Sequence, residues 1–463
     1  MTRRPNVLLI VMDATRLDYL SAYGYPRPTT PNLDRLAEQG VLFEKAFSSA
    51  PWTPPSHASL FTGTYPSTHG VDVNENLYLN DKNRTVAEIL ADNGYRTFGV
   101  LPDVHLSSVR GFHKGYQQYT ETWRIPYLYP EYDWLECLMR NVISGRDKRT
   151  YYSSRLIQRW LKNNANQGDP FFVFVNFKTV HNSYQPPRAY RRKYETKSPN
   201  VDMRKVNYYS KKGGYSYMAR ELEMTEEEFV LVESWYAAAV AYLDFRIGQL
   251  MQYLKDTGAY EDTLVIITAD HGENLGEHHL AYHLFCLYDT LIHVPLIMSC
   301  PSLLPRGRRI SEMVSLVDVL PTILELLELE KEAPDVEGTS LVPFNGGKYH
   351  DEVFAEFGRP HSMIKRLETE FSGHDFSSFD RGLQCVRTED YKLIASSDGT
   401  EELYDLHSDP SETRNLVAER PDVAEALRSR LSRLQARKDS AFKSEHVVED
   451  EAVIKALRAL GYF

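Results

Sequence analysis

Four short, continuously apolar runs constrain the fold of this chain most: Val7–Met12, Phe171–Phe177, Leu264–Thr268 and Val294–Met298. A strand with one wet face alternates apolar and polar residues, whereas an unbroken apolar run implies a strand covered on both faces, and doubly covered sheets are largely parallel. Helix signals fall between the runs. Thr30-Pro31 opens a helix that Gly40 closes, Thr85–Asn93 ends at Gly94, and Thr225 with Glu228 forms a capping box ahead of a long amphipathic run to Gly258. Alternation of this kind belongs to α/β folds, so a doubly wound, mostly parallel sheet is expected.

The pattern changes after residue 345. Glu352–Phe357, Leu383–Arg387 and Tyr391–Ala395 read as short strands joined by turns, followed by a charged helix over 422–437 and a helical tail ending at Leu460-Gly461-Tyr462. The expected division is a large domain over 1–345, with an unusual excursion at 188–220, and a smaller α+β domain over 346–463.

Composition narrows the classes of function. Hydrophobic residues make up 42% and charged residues 25%, ordinary for a globular chain, which excludes disorder and a membrane-embedded body. The basic start, Met1 to Arg4, is followed by an apolar run too short for a signal peptide, and no later run is long enough for a membrane span, so a cytoplasmic location is expected. Cys137, Cys286, Cys300 and Cys385 form no C-x-x-C pair and read as reduced thiols. The formal charge of −11 argues against nucleic acid as a partner. The 188–220 excursion stands apart, with ten Lys/Arg against Glu195 and Asp202 and six interleaved tyrosines. It is either a solvated surface segment or a rim that attracts an anionic substrate.

In open α/β sheets the ligand lies beyond the carboxyl ends of the strands. Asp13 directly follows the first run, Asp270-His271-Gly272 follows the third, and His181 comes shortly after the second. Three strands thus bring two carboxylates and two imidazoles to one edge, a donor set that suits one divalent cation such as Mn²⁺, Zn²⁺, Ca²⁺ or Mg²⁺. Any one of these residues taken alone reads as a turn former or helix cap; together they do not. Thr53 precedes Pro54-Pro55, and Gly63 follows, which defines a short helix with Thr53 near its N-cap. Its hydroxyl is a cap or, beside a cation and the unpaired N–H groups of the helix start, a nucleophile.

These residues carry a family resemblance. Asp13 with Thr15-Arg16; Thr53-Pro54-Pro55-Ser56-His57 with Leu60-Phe61-Thr62-Gly63; His181 before Pro186-Pro187; Asp270-His271-Gly272-Glu273; His293-Val294-Pro295; Tyr391-Lys392-Leu393; and Glu402-Leu403-Tyr404-Asp405 together resemble the sulfatase family of the alkaline phosphatase superfamily. The resemblance implies an alkaline phosphatase-like fold and a hydrolase of anionic esters, carbohydrate- or lipid-linked among them, with Asp13, Thr53, Asp270 and His271 on the metal. His181, His283, His57, Lys178 and Arg16 are further candidates for the pocket. The histidines His181 and His283 are candidates for protonating the leaving oxygen or gripping non-bridging oxygens, or are structural. Lys178 and Arg16 are candidates for fixed charges on the substrate, and Arg16 equally for an ion pair.

Departures from the family pattern bear on the chemistry. Where the family has Cys or Ser that becomes formylglycine, this chain has Thr53, which cannot; Ala14 replaces a second Asp, His271 an Asn, His57 an Arg and His283 a Lys. No formylglycine is expected. A sulfated threonine would have to be cleaved by water at sulfur, whereas a phosphorylated or phosphonylated one can be displaced in line, so phosphate mono- or diesters or phosphonates are the expected substrates. Sulfuric ester hydrolysis without formylglycine, phosphoryl transfer to a sugar or lipid acceptor, and anion binding without turnover remain the alternatives. Oligomeric state is not legible.

Overall fold

The computed structural model describes residues 4–72, 77–124, 147–196, 200–332, 336–344, 346–347 and 349–435. Cys137, Lys197 and the tail ending at Tyr462 lie outside the described residues. The strands in chain order are β1 (Asn6–Met12), β2 (Val41–Phe47), β3 (Arg96–Leu101), β4 (Gln118–Glu121), β5 (Phe171–Phe177), β6 (Thr263–Thr268), β7 (Asn274–Leu275), β8 (Ala281–Tyr282), β9 (His293–Ser299), β10 (Arg308–Ser315), β11 (Glu352–Phe357), β12 (Leu383–Thr388), β13 (Tyr391–Ser396) and β14 (Glu401–Asp405). Eight of them form one sheet in the order β10-β2-β9-β6-β1-β5-β3-β4, parallel except for β9, which runs antiparallel to both neighbours.

Strand periodicity explains why the central runs are apolar throughout. In β1, Leu8, Ile10 and Met12 enter the core on one face, while Val7, Leu9 and Val11 enter the core on the other. Val173 and Val175 of β5 share the first core, and Phe172 and Phe174 the second. The first face is covered by the 31-residue helix Glu226–Asp256, which starts at the expected Thr225–Glu228 capping box. Residues of Thr53–Thr62, Val86–Asp92 and Val319–Leu326 cover the second.

The 188–220 excursion folds onto the long helix as Arg188–Tyr194, Met203–Tyr208 and the turns that follow. Two of its tyrosines are anchors: Tyr194 and Tyr209 are buried in the first core, and the Arg191 guanidinium lies 3.9 Å over the Trp235 ring. Arg188, Arg192, Lys193, Arg204, Lys211, Lys212 and Arg220 are exposed, so most of its described charge is solvated. Its far end touches the β7–β8 hairpin, where the Gly214 amide donates to the Tyr282 hydroxyl at 3.0 Å.

Strands β11 to β14 form a second, antiparallel sheet with the helix Pro421–Gln435 against it. A buried ion cluster joins the two sheets' regions. Lys392 on β13, fully buried, donates to Asp289 at 2.8 Å and to Glu412 at 2.7 Å, and Arg387 donates to the other Asp289 oxygen at 3.2 Å. Removing one member of such a cluster strands buried charge, so Lys392→Ala should destabilise the fold by about 3 kcal/mol in urea denaturation. A loss below about 1 kcal/mol would mean that the cluster is dispensable.

Candidate active site and metal cluster

Strands β6, β1 and β5 are neighbours with parallel registers, so their carboxyl ends open on one edge of the sheet. Asp13 leaves β1, Asp270 and His271 lie just past β6, and Lys178 to His181 follow β5. The helix Thr53–Thr62 is wholly buried and starts at Thr53 after the extended Trp52. It is tied to the end of β6 by Ser56, whose hydroxyl donates to the Asp270 carbonyl at 2.7 Å. Gly63, at φ 67°, ends the helix in the left-handed conformation that favours glycine. One expectation needs correction: Pro54 and Pro55 bring no N–H, and the Ser56 amide is spent on the Trp52 carbonyl. Thr53 therefore sits at a helix start poor in backbone donors.

The carboxylates are held from behind. Asp13 Oδ2 accepts from the Asn176 amide at 3.0 Å, and Asp270 Oδ1 accepts from the backbone amides of Ala14 and His271 at 3.2 and 3.0 Å. Ala14 adopts a left-handed φ of 56°, held by its carbonyl's hydrogen bond from Tyr236. The remaining oxygens, Asp13 Oδ1 and Asp270 Oδ2, are buried without a hydrogen-bond partner among the described residues. His271 donates Nδ1–H to the Gly272 carbonyl at 2.8 Å, which leaves Nε2 as a lone pair, 3.4 Å from Asp270 Oδ2 and 4.0 Å from Asp13 Oδ1. The Thr53 hydroxyl lies 3.3 Å from the same Nε2.

Two carboxylate oxygens and an imidazole lone pair facing one another in a buried space repel, and a cation among them removes the repulsion. Burial, then the Asp270 charge, push the Asp13 carboxyl well above its usual range, against Lys178 and Asn176. Burial pushes His271 down to about 3, so its ring is neutral and competent as a ligand near neutrality. Among the described residues, Asp13, Asp270 and His271 form the one cluster of His, Cys, Asp or Glu whose donor atoms lie close enough together to share an ion.

The other expected residues divide into two groups. His283 lies between the rings of His271 and His181, at centroid distances of 4.4 and 4.8 Å, and its Nδ1 donates to Glu273 at 3.1 Å. His181 donates Nδ1–H to the Asn182 carbonyl at 2.9 Å and is held neutral chiefly by burial, then by the nearby Lys178 and His283. Both imidazoles border the cluster. The second group is already engaged. His57 is fully buried, with Nδ1 donating to the Thr53 carbonyl at 2.9 Å and lying 3.5 Å from Asp270, so it sits behind the nucleophile position instead of facing a ligand. Lys178 pairs with Asp103 at 2.5 Å, and Arg16 pairs with both oxygens of Asp18 at 2.9 and 2.7 Å and with Glu277 at 2.5 Å. Sequence reasoning gave no role to Asn176, Asp103 or Glu273, which hold Asp13, Lys178 and His283. Glu273 carried a signal, directly beside Asp270-His271-Gly272; the others did not.

A family model described as Sulfatase matches residues 5–329, and one described as N-sulphoglucosamine sulphohydrolase, C-terminal, matches residues 276–437. Arylsulfatase K of Bos taurus is 27% identical over 500 aligned positions covering 99% of this chain and 86% of that protein. The phosphonate monoester hydrolase of Agrobacterium radiobacter superposes with a TM-score of 0.75 at 26% identity, covering 94% of this chain and 96% of that one. A protein solved with its substrate D-glucosamine-2-N,6-O-disulfate shares the fold, with a TM-score of 0.71 at 19% identity over 94% of this chain and 98% of its own.

Proposed function

The chain belongs to the sulfatase family and is a hydrolase of anionic esters, and we propose that its own substrates are phosphate mono- or diesters or phosphonates attacked by Thr53. The observation that carries this reading is the Thr53 hydroxyl 3.3 Å from His271 Nε2, at the edge of the Asp13, Asp270 and His271 cluster, in a position where formylglycine cannot form. Asp13, Asp270 and His271, with Thr53 Oγ, would hold one divalent ion of Mn²⁺, Zn²⁺, Ca²⁺ or Mg²⁺. When bound, that ion supplies positive charge that lowers the hydroxyl's pKa and offsets charge on the ester oxygens.

The chain's own groups then perform two in-line displacements. Thr53 loses its proton to solvent, its Oγ forms a bond to phosphorus, and the bond from phosphorus to the leaving oxygen breaks. His283, oriented by its Nδ1 hydrogen bond to the Glu273 carboxylate, gives that oxygen a proton. Water attacks the phosphorylated threonine, the bond to Thr53 Oγ breaks, and a proton returns to the imidazole. His57 and Ser56 hold the helix start against Asp270 while this happens.

A second reading, hydrolysis of sulfate esters without formylglycine, draws support from Arylsulfatase K and from the glucosamine disulfate complex. One assay separates them: aryl phosphate mono- and diesters, phosphonates and sulfates offered to the protein loaded with each of the four metals. Phosphorus esters should have kcat/KM at least about tenfold above the matched sulfate. A preference for sulfate would overturn the phosphorus reading and leave the hydrolase.

A further inference from the structure

A buried ammonium group beside the site has no hydrogen-bond partner among the described residues, and neither the motifs nor the steps above use it. Lys148 Nζ is enclosed by protein and makes no hydrogen bond among the described residues. Its backbone is held in place: Lys148 and Arg149 are both left-handed, at φ 47° and 68°, a pairing that L residues adopt only when their surroundings impose it. The Asp147 carboxylate fixes this turn by accepting from the amides of Arg149 and Tyr151, at 3.1 Å each, and from the Tyr242 hydroxyl at 2.9 Å. One residue on, Thr150 hydrogen-bonds through its side chain to that of Thr179, which joins the turn to the loop after β5 that carries Lys178 and His181.

Its electrostatic neighbours are groups of the site. Lys178, Glu273 and Asp13 act on Lys148, and Lys148 in turn acts on His181. Burial, with Lys178 adding repulsion and the two carboxylates opposing, pushes the Lys148 ammonium down to about 7. The other cations expected to meet substrate are compensated, Lys178 by Asp103 and Arg16 by Asp18 and Glu277. Among the described residues, Lys148 has no such hydrogen-bonded carboxylate. Two ammonium groups that repel where water is excluded are unfavourable, and an anion between them reverses the sign.

We propose that Lys148 is a substrate-binding residue, donating to a non-bridging oxygen of the tetrahedral oxyanion at the Thr53 site. The inference rests on the location of that site and not on whether phosphorus or sulfur is the reacting centre. An ammonium on a flexible stem suits a tetrahedral group because it donates as a point charge in whatever direction the oxygen lies.

The test uses the full chain with Lys148→Met and Lys148→Arg, read by thermal shift with orthovanadate, inorganic phosphate and inorganic sulfate, and by KM and kcat on an aryl ester. The methionine variant should weaken vanadate and raise KM by about 10- to 100-fold, with a smaller change in kcat, and arginine should restore most of both. Without any anion the methionine variant should melt at or above the parent's temperature, because an unsatisfied buried charge has been removed. Unchanged anion affinity in Lys148→Met, or a lowered melting temperature with affinity retained, would overturn the proposal, as would the absence of any anion response in the parent. Anion binding by a parent that does not turn over esters would instead defeat the threonine chemistry and leave Lys148 in its role.

Discussion

Thr53→Ala is expected to remain folded and to lose turnover by about 10⁴-fold or more, because the Thr53 hydroxyl is the one set against His271 Nε2 among the described residues, and removing a covalent nucleophile eliminates the pathway instead of weakening it. The fold should tolerate the change. Thr53 is only 2% exposed, but its hydroxyl does not cap the helix, whose N-cap residue is Trp52, so the expected stability loss is about 1 kcal/mol. Thr53→Ser keeps an oxygen at the same place and should recover activity to within about tenfold to thirtyfold of the parent. Quenched-flow mass spectrometry of the parent should show one phosphoryl or phosphonyl group on the peptide containing Thr53 and none in the alanine variant. Alanine retaining more than about a tenth of the parent's kcat would mean that water attacks directly and that Thr53 only lines the site.

How much of this was legible in the sequence depends on how locally each feature is specified. Asp13, Asp270, His271 and His181 could be placed together because each follows an unbroken apolar run, and the parallel pairing of β5, β1 and β6 puts the ends of those runs side by side. Edge strand β10 was not legible, since its exposed Arg308, Arg309, Ser311 and Glu312 break the apolar pattern, and nothing local marks β9 as antiparallel. The helix His361–Glu370 was missed for a similar reason: Pro360 rather than a hydrogen-bonding cap precedes it, and among its residues only Ile364 and Leu367 are buried. Roles set by distant partners were the hardest to read. Lys178 looks like a free cation until β3 delivers Asp103 from 75 residues away, and Arg16 until Glu277 arrives from 261 away. Lys148 belongs to a turn with no periodicity, so only its unpartnered burial marks it.

Asp13→Asn should invert the stability order of the two proteins according to whether metal is present. Asp13 Oδ1 and Asp270 Oδ2 are buried, without a hydrogen-bond partner among the described residues, and close to the His271 lone pair. An asparagine can still offer its carbonyl oxygen to the Asn176 amide that now serves Asp13 Oδ2, while its own NH₂ faces Asp270, so repulsion becomes a hydrogen bond. The expected gain in metal-free stability is about 1–3 kcal/mol. The pH dependence follows from the direction of the Asp13 shift, which is upward from its unfolded value through burial and Asp270. A carboxyl with a raised folded pKa contributes stability that is fully present below its unfolded pKa of about 4 and is lost as pH rises through the folded one. The parent should therefore weaken across that range while the variant does not, and the gap between them should widen with pH. Saturating metal reverses the order, because a ligand at a thousand times its dissociation constant stabilises the parent by about 4 kcal/mol, and the variant forgoes most of that. Urea melts at several pH values, in chelator and in each of Mn²⁺, Zn²⁺, Ca²⁺ and Mg²⁺, give both curves. A variant that keeps the parent's metal-induced shift would remove Asp13 from the ligand set, and a variant less stable than the parent in chelator would show that the two carboxylates do not strain the empty site.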